Sequence, residues 1–203
     1  MTNKKQLEDM DTKERILFVA RSLFADKGLH GVSIREIAKE ADVNISAINY
    51  HFTNKEALFG ETIVASILQT TNDVENLYQD GLSTNDLAIK IYYYFIENSD
   101  DLKSCFKLFL SNTEQHYTSS PDDNKIGPPG SLVIYKCLLD EVPNAGQDDL
   151  FWAVRTIFTH VIHKAILMSS NSGKVMEEKY SANHKTLEES ISRLVRIIIQ
   201  DIK

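Results

Sequence analysis

Apolar residues recur every three or four positions along most of the chain, which is the spacing of one face of an α-helix. The first such stripe lies between Thr12, a predicted N-cap, and Gly28, a predicted left-handed residue at the C-terminal end. It consists of Ile16, Leu17, Val19, Ala20, Leu23 and Phe24. We therefore predict a first helix here, preceded by a loose polar lead over residues 1–11.

Three more helices are predicted close behind the first. The sequence Ser33-x-x-Glu36 is typical of a capping box and opens a short second helix. Asn44 is the predicted N-cap of a third short helix over residues 45–52. A fourth helix follows from about residue 55 to residue 78, with an apolar face of its own.

The rest of the chain continues the helical pattern. Helices are predicted over 84–99, 101–118, 131–142, 148–169 and 184–202, with turns at 144–147 and 171–174 and a long connection over 119–130. Strict alternation of apolar and polar residues, which is typical of strands, never extends beyond a few residues. The predicted fold class is all-α, with about nine helices.

Charge is distributed unevenly along the 203 residues, 42% of which are hydrophobic and 25% charged. Residues 1–60 hold nine Lys or Arg and nine Asp or Glu, whereas residues 61–203 hold 13 and 20. The whole net charge of −7 therefore belongs to the second part. A neutral N-terminal module can still place a few positive groups together, so a nucleic-acid partner is not excluded.

The cysteines and the hydropathy pattern favour a cytoplasmic protein. Cys105 and Cys137 form no recognisable motif, which is typical of reduced thiols. The polar residues 1–8 do not resemble a signal peptide. The longest apolar stretch, residues 157–168, is interrupted by polar side chains, so we expect no span of a bilayer and no membrane partner.

The first four helices have the arrangement of a helix-turn-helix unit, in which two short helices are joined by a tight turn and supported by flanking helices. The second short helix of such a unit enters the DNA major groove, so it needs one apolar side and one exposed side. Residues 45–52 meet both demands. Ala47, Ile48 and Phe52 are predicted to pack inward, and Ile45, Ser46, Asn49, Tyr50 and His51 to face outward.

Residues 12–59 resemble the DNA-binding domain of TetR/AcrR-type bacterial repressors. The resemblance runs through the segments Arg15-Ile16-Leu17, Leu23-Phe24, Val32-Ser33-Ile34-Arg35-Glu36-Ile37-Ala38, Ala41-Asp42-Val43-Asn44, Ala47-Ile48-Asn49-Tyr50-His51-Phe52 and Asn54-Lys55-Glu56-Ala57-Leu58-Phe59. Three positions depart from the family pattern. Asp42 stands where Gly is usual, so it must adopt positive φ; Asn49 stands where Tyr is more common; and Ile45 replaces a frequently polar residue.

The resemblance implies a set of DNA-contacting residues. Phosphate contacts are predicted for Ser33, Arg35, Tyr50, His51 and Lys55, which can all donate hydrogen bonds. Base contacts are predicted for Ser46 and Asn49, with Ile45 against a thymine methyl group and Asn44 at the start of the helix. The alternatives are that Tyr50 packs on the rim of the domain, that His51 is merely exposed, and that Arg35 only pairs with Glu36 or Glu40.

The resemblance also implies a homodimer, formed by a four-helix interface of the last two long helices. Both helices carry broad apolar stripes that could serve a core and a partner together. The predicted interface residues are Phe151, Val154, Phe158, Val161 and Ile162 from one helix and Leu187, Ile191, Leu194 and Ile198 from the other. The alternative is that both stripes lie entirely in the core of one chain.

Members of this family usually bind a small effector in the C-terminal domain, and the chain offers aromatic and polar candidates for a largely apolar pocket. These candidates are Tyr93, Phe106, Phe109, Thr113, His116, Arg155, Phe158, His160 and His163. Core packing is the alternative for each aromatic residue. His160 and His163 have a spacing that could share a metal, but without a clear third ligand we expect no metal and no cofactor.

The predicted domains are therefore a helix-turn-helix DNA-binding domain over 12–58 and an effector-binding and dimerisation domain over 59–203. The resemblance implies a dimeric repressor that a small effector releases from a palindromic operator. An activator of the same fold and a binding or scaffold protein remain alternatives. An all-α enzyme using a cysteine or the two histidines is a further alternative, but the chain has no nucleophile elbow or His-Glu-x-x-His motif, so we expect no enzyme.

Overall fold

The computed structural model describes residues 9–111, 130–180 and 187–203, except the side chains of Phe109, Ser111, Glu177, Glu178, Tyr180 and Leu187. These residues form ten helices and no strand, as the predicted all-α class requires. The helices are α1 (Thr12–Gly31), α2 (Ile34–Glu40), α3 (Ile45–His51), α4 (Lys55–Glu75), α5 (Thr84–Glu97), α6 (Ser99–Ser111), α7 (Leu132–Glu141), α8 (Gln147–Met168), α9 (Asn171–Tyr180) and α10 (Leu187–Asp201).

Helix α1 begins one residue earlier than predicted. Asp11 is its N-cap: the Asp11 carboxylate accepts a hydrogen bond from the Glu14 amide, and the Glu14 carboxylate accepts one from the Asp11 amide. This reciprocal pair is a capping box that the prediction of a Thr12 cap missed. Gly28 does adopt positive φ, at 69°, and the chain then makes a further helical turn to Gly31.

The turn between α2 and α3 has the predicted backbone. Ser33 is the N-cap of α2 and accepts a hydrogen bond from the Glu36 amide, but the Glu36 carboxylate binds Lys27 of α1 at 2.5 Å. Only the Ser33 half of the predicted capping box is therefore present. Asp42 has φ of 53°, the positive value expected from its place in a turn where Gly is usual. Asn44 occupies the N-cap position of α3 without a side-chain capping bond.

The chain divides into two compact units. Unit 1 comprises Met1–Leu68 and Lys103–Thr118, and unit 2 comprises Gln69–Leu102 and Ser119–Lys203. The division lies later in the chain than the predicted boundary at residue 58, because Leu58, Phe59 and Ile63 of α4 are buried in the apolar cluster of unit 1. A segment of α6 also belongs to unit 1, and its Leu108 is fully buried in the same apolar cluster as α1 to α4.

The core of unit 1 holds the residues that the apolar stripes predicted. Ile16, Val19, Ala20 and Phe24 of α1 are buried, and the rings of Phe24 and Phe59 meet edge to face at 5.1 Å. The remaining buried members include Ile37, Ala38, Ile48, Phe52, Leu58 and Ile63. Burial of side chains of this size contributes about 1.5–3 kcal/mol each, so this cluster holds the short helices α2 and α3 in place.

Helix α8 is the centre of unit 2 and packs against α5, α7, α9 and α10. Phe158 of α8 meets Phe95 of α5 edge to face, and Glu141 of α7 accepts a hydrogen bond from the Thr84 amide at the start of α5. Among the described residues, α8 is the one helix that is long and apolar enough to cross a membrane, by length and composition only. Its apolar face, from Leu150 to Ala165, is buried in the unit, as in the core helix of a folded domain.

Helix α9 was not predicted. The sequence Asn171-Ser172-Gly173 has the composition of a turn, but the structure begins a helix there. Gly173 is buried, and a Cβ atom at this position would overlap the carbonyl group of Leu167 at the end of α8. The close approach of the two helix ends therefore depends on glycine, which explains why a residue with low helix propensity stands in the first turn of α9.

Candidate nucleic-acid interface

Helix α3 has one buried side and one exposed side. Ile48 and Phe52 are 1% and 2% exposed in the core of unit 1, and Ala47 is half-buried beside them. On the opposite side, Ser46 and Asn49 are exposed, Ile45 is 41% exposed and Tyr50 is 85% exposed. The buried side chains therefore fix the helix to the core of unit 1, and polar and apolar side chains on the opposite side face solvent. This is the arrangement that the sequence predicts.

The aromatic pair Tyr50 and His51 lies at the C-terminal end of α3. Their rings meet edge to face at 5.1 Å, and His51 is half-buried between Tyr50 and Phe52. The high exposure of Tyr50 argues against its alternative role as a packing residue on the rim. Its hydroxyl group is available to donate a hydrogen bond to a phosphate oxygen.

Three predicted phosphate-contacting residues flank α3 in different surroundings. Ser33 is exposed, although its hydroxyl oxygen already caps α2. Arg35 is exposed and forms no ion pair within residues 9–111, so pairing with Glu36 or Glu40, its alternative role, is not observed. The Lys55 ammonium donates a hydrogen bond to the Val32 carbonyl at 3.2 Å, a bond that ties the start of α4 to the segment before α2. Two of its three N–H donors are left for other partners.

Contacts that the sequence did not reveal hold α3 against its neighbours. The Lys13 ammonium of α1 lies 2.7 Å from the Glu61 carboxylate of α4 and 5.6 Å from the centre of the Phe52 ring. The Asn54 side chain caps α4 by accepting a hydrogen bond from the Ala57 amide at 2.7 Å. The contacts of Lys13 join residues far apart in the chain, so no periodicity of the apolar residues could have predicted them.

The Lys27–Glu36 ion pair fixes α1 against α2. Its hydrogen bond raises the pKa of Lys27 and lowers that of Glu36 from their ordinary values. Both side chains remain in contact with solvent, so the pair contributes mainly orientation and only a small, salt-dependent stabilisation.

The comparisons with known proteins agree with this geometry. Residues 16–62 match the family described as bacterial regulatory proteins, tetR family. The matched segment begins in α1, includes the whole of α2 and α3, and ends within α4. The chain is 49% identical over 49 residues to the probable HTH-type transcriptional regulator YttP of Bacillus subtilis, a match that covers 24% of each chain. It is 21% identical over 108 residues to the negative transcriptional regulator IcaR of the biofilm operon icaADBC in Staphylococcus aureus, covering 53% of this chain and 58% of IcaR.

Solved structures extend the likeness in fold beyond the tetR-family domain. A bacterial regulatory protein of the tetR family from Rhodococcus RHA1 matches with a TM-score of 0.58 at 16% identity, covering 95% of this chain and 97% of that one. A TetR variant from Acinetobacter baumannii in complex with minocycline matches with a TM-score of 0.52 at 13% identity, covering 94% and 96%. The described helices therefore share their fold with tetR-family proteins, whereas the match to YttP spans about a quarter of its length.

The structure places the predicted dimer residues in two different surroundings. Val154, Phe158, Val161, Ile191 and Ile198 are at most 2% exposed and belong to the core of unit 2. These five cannot present their side chains to a partner, because the stripe that we assigned to both roles serves the core at these positions. Phe151, Ile162 and Leu194 are half-buried, and the side chain of Leu187 lies outside the described part.

The predicted effector-pocket residues lie in several different surroundings. Phe158 is buried against Phe95; Tyr93 is exposed and donates a hydrogen bond to Glu188; Arg155 and His163 are exposed. His160 is half-buried, with its Nε2 atom 3.5 Å from the Ser190 hydroxyl group. Phe106 is half-buried in unit 1, and Thr113, His116 and the Phe109 side chain lie outside the described residues.

Metal ligands are not clustered in the structure as far as it is described. Within the described residues, no group of three or more His, Cys, Asp or Glu side chains is placed to hold a metal ion. His160, one of the two histidines with suitable spacing, instead lies beside Ser190.

Proposed function

We propose that this protein is a transcription regulator that places α3 in the major groove of DNA. The observation that carries the proposal is the exposure of Tyr50, Asn49 and Ser46 on a helix whose opposite side is fixed in a core by Ile48 and Phe52. A helix of this kind fits a groove about 12 Å wide. The match of residues 16–62 to the tetR family supports the same function.

The residues of the interface divide by chemistry. Tyr50, His51, Arg35, Ser33 and the free donors of Lys55 contact phosphate oxygens and fix the position of the domain on the duplex. Asn49 and Ser46 contact base edges, where an amide can bind adenine through two hydrogen bonds. Ile45 contacts a thymine methyl group, and Asn44 lies at the end of α3 that points into the groove.

A second copy of the chain is part of the proposal. One domain of this size makes few contacts, whereas two copies with recognition helices about 34–36 Å apart bind a palindromic site. We assign the interface to the exposed sides of α8 and α10, where Trp152 and Ile197 are each 50% exposed. A large aromatic and a β-branched side chain exposed on two neighbouring helices favour association with a like surface.

The regulator acts as a repressor in this proposal, as the name of IcaR states for that protein. A small molecule bound in unit 2 releases it from DNA by favouring a conformation whose recognition helices no longer match the operator. The TetR variant from Acinetobacter baumannii, which has the same fold, was crystallised with minocycline, a small molecule. Activation remains the alternative, because the sign of regulation depends on where the operator lies. The proposed compartment is the cytoplasm, where DNA is accessible.

A mobility-shift experiment with DNA from upstream of the protein's own gene tests the proposal at about 100 mM salt. We expect a sequence-specific shift for the full chain. Tyr50→Phe removes one phosphate donor and weakens binding to every sequence by a similar factor, whereas Asn49→Ala costs about 1–3 kcal/mol at one base pair only. Lys174→Gln, which changes an exposed side chain of α9 in unit 2, is the control and leaves DNA binding unchanged.

The absence of any sequence-specific shift would contradict the function itself. A change in base preference on Tyr50→Phe would instead contradict only the phosphate role of Tyr50. Circular dichroism of each variant separates loss of contact from loss of folding.

A further inference from the structure

Helix α10 presents three different sides along its length. At 100° per residue, Ile191, Val195 and Ile198 point into the core of unit 2, where each is at most 2% exposed. Leu194 and Ile197 lie on a second side, which we have assigned to the partner chain. Arg193, Arg196 and Lys203 share the third side with Ile199 and Gln200. Arg196 and Ile199 lie about 100° or more around the helix from Ile197, so a second copy bound through Ile197 leaves this part of the third side uncovered.

The third side of α10 borders a groove of about 630 Å³. The start of α5 forms the opposite wall through Asn85. Val195 and Ile199 supply apolar lining, and Arg193, Arg196 and Lys203 supply charge. This volume lies within the range of about 300–1,000 Å³ that is usual for small-molecule sites.

The charge of the groove is opposite to that of the whole chain. Three cations and one carboxylate, that of Glu189, line it, which leaves a positive balance in a protein of net charge −7. In the part of the chain that the structure describes, Arg193, Arg196 and Lys203 form no ion pair. Cations gathered in a concave surface without carboxylate partners attract an anion from solution.

Asn85 adds a second polar feature to the groove. Its side-chain oxygen is buried and accepts no hydrogen bond from the described residues. A buried polar atom without a partner destabilises the folded state, and a ligand that supplies a hydrogen bond can recover this loss. Rotation of the amide by 180° presents either the oxygen or the NH2 group at this place, so Asn85 can accept or donate a hydrogen bond.

We propose that this groove binds a small organic anion with an apolar chain. Its carboxylate contacts the Arg193 and Arg196 guanidinium groups, which suit the planar geometry of a carboxylate. Lys203 adds charge beyond the end of α10, and the apolar chain lies along Ile199. The inference does not depend on DNA binding, because every group that carries it belongs to unit 2.

Titration calorimetry of the full-length protein with decanoate, below its micelle concentration, tests the site. We expect saturable binding of one decanoate per chain. Decanol has the same chain without charge, and acetate has the carboxylate without the chain; each should bind at least about tenfold more weakly. Arg196→Gln should weaken decanoate binding about tenfold, since it removes a charge-assisted hydrogen bond. Lys174→Gln removes an exposed charge from α9 and serves as the matched control.

Equal binding of decanol and decanoate would overturn the proposal, as would unchanged decanoate binding by Arg196→Gln. Arg196→Lys keeps the charge but not the paired donors, so an intermediate affinity is expected for it. Lys203→Gln changes an exposed side chain outside the core of unit 2, and it should weaken binding by a smaller factor. Failure of the mobility-shift experiment would leave these expectations unchanged.

Discussion

Asp42 shows how a single residue can decide the geometry of the turn before α3. Its φ of 53° belongs to the left-handed region, where an L-residue other than glycine is strained by about 1–2 kcal/mol. Asp and Asn tolerate this region better than other side chains because their short polar groups can hydrogen-bond locally. The turn therefore forms without glycine, at some cost to the stability of unit 1.

Substitutions at Asp42 test this strain. Asp42→Gly should be more stable than Asp42→Ala by about 1 kcal/mol, because alanine retains the Cβ atom that opposes positive φ. Urea denaturation of both variants beside the unmodified chain measures the difference. Equal stability of the glycine and alanine variants would show that the backbone relaxes out of the left-handed region.

The two cysteines lie in different surroundings, although neither belongs to a recognisable sequence motif. Cys137 of α7 is 1% exposed, and burial together with Glu141 and Asp140 raises the pKa of its thiol to about 11. Cys105 of α6 is half-buried. A thiol held protonated at neutral pH is a poor nucleophile, which argues against the enzyme alternative for Cys137.

Alkylation with iodoacetamide at pH 8 should therefore modify Cys105 well before Cys137 in the folded protein. A pKa raised from 9.0 to about 11 lowers the thiolate fraction about a hundredfold at this pH, and burial slows the reaction further. Peptide mass spectrometry measures both rates. Addition of denaturant is the control, since it should make the two rates similar; similar rates without denaturant would contradict the assignment.

At the scale of the elements, helices were predictable where local sequence and tertiary packing agree. The apolar stripes of α1 and α8 placed these helices close to their observed bounds, because an amphipathic stripe must be buried somewhere. Caps were less predictable: Asp11 and Asn54 compete with neighbouring residues of similar capping propensity. Helix α9 was missed because its existence depends on packing against α8 through Gly173, which no local pattern records.

The contact between α1 and α2 should depend on pH through the Lys27–Glu36 pair. The folded pKa of Glu36 is lowered, so its contribution is present above the unfolded pKa of about 4.5 and is lost as pH falls through the folded value. The folded pKa of Lys27 is raised, so its contribution is present below about 10.5 and is lost as pH rises through the folded value.

Lys27→Met should therefore lower the melting temperature slightly at pH 7 and low salt, and this difference should shrink at pH 3. Lys39→Met is the control, because Lys39 is exposed on α2 and forms no ion pair within residues 9–111. Calorimetric scans at the two pH values measure the difference. An effect of Lys27→Met that is the same at both pH values would show that packing of the lysine stem, and not charge, is responsible.

At the scale of the whole molecule, the structure changes the contact residues of the proposed dimer. The interface is still assigned to the same two helices, α8 and α10. Five of the predicted contact residues lie in the core, and the exposed apolar groups on α8 and α10 are instead Trp152 and Ile197. The sequence of an amphipathic stripe does not distinguish the apolar positions that face the core from those that face a partner chain. Burial in the folded unit makes that separation, and it leaves a different side of each helix for the proposed partner.

Ile197→Asp should convert the dimer to a monomer, because an ionised carboxylate is costly to bury in an interface. Val175→Asp is the matched control: Val175 is 63% exposed on α9, outside the proposed interface, and its replacement should leave the dimer intact. Sedimentation velocity at several protein concentrations measures the mass. A dimer that survives Ile197→Asp would place the interface elsewhere.

The sequence by itself determined the all-α class, the helix-turn-helix order of α1 to α4 and the outward residues of α3. Each of these depends on spacing and capping within a few residues of chain, where local rules apply. Only the tertiary structure decided which apolar residues of α8 and α10 belong to the core, how Lys13 meets Glu61 and Phe52, and where cations gather beside Asn85. These features join residues that are distant in the chain. Helical periodicity predicts the side of a helix on which a side chain lies, but it does not predict which other element packs against that side.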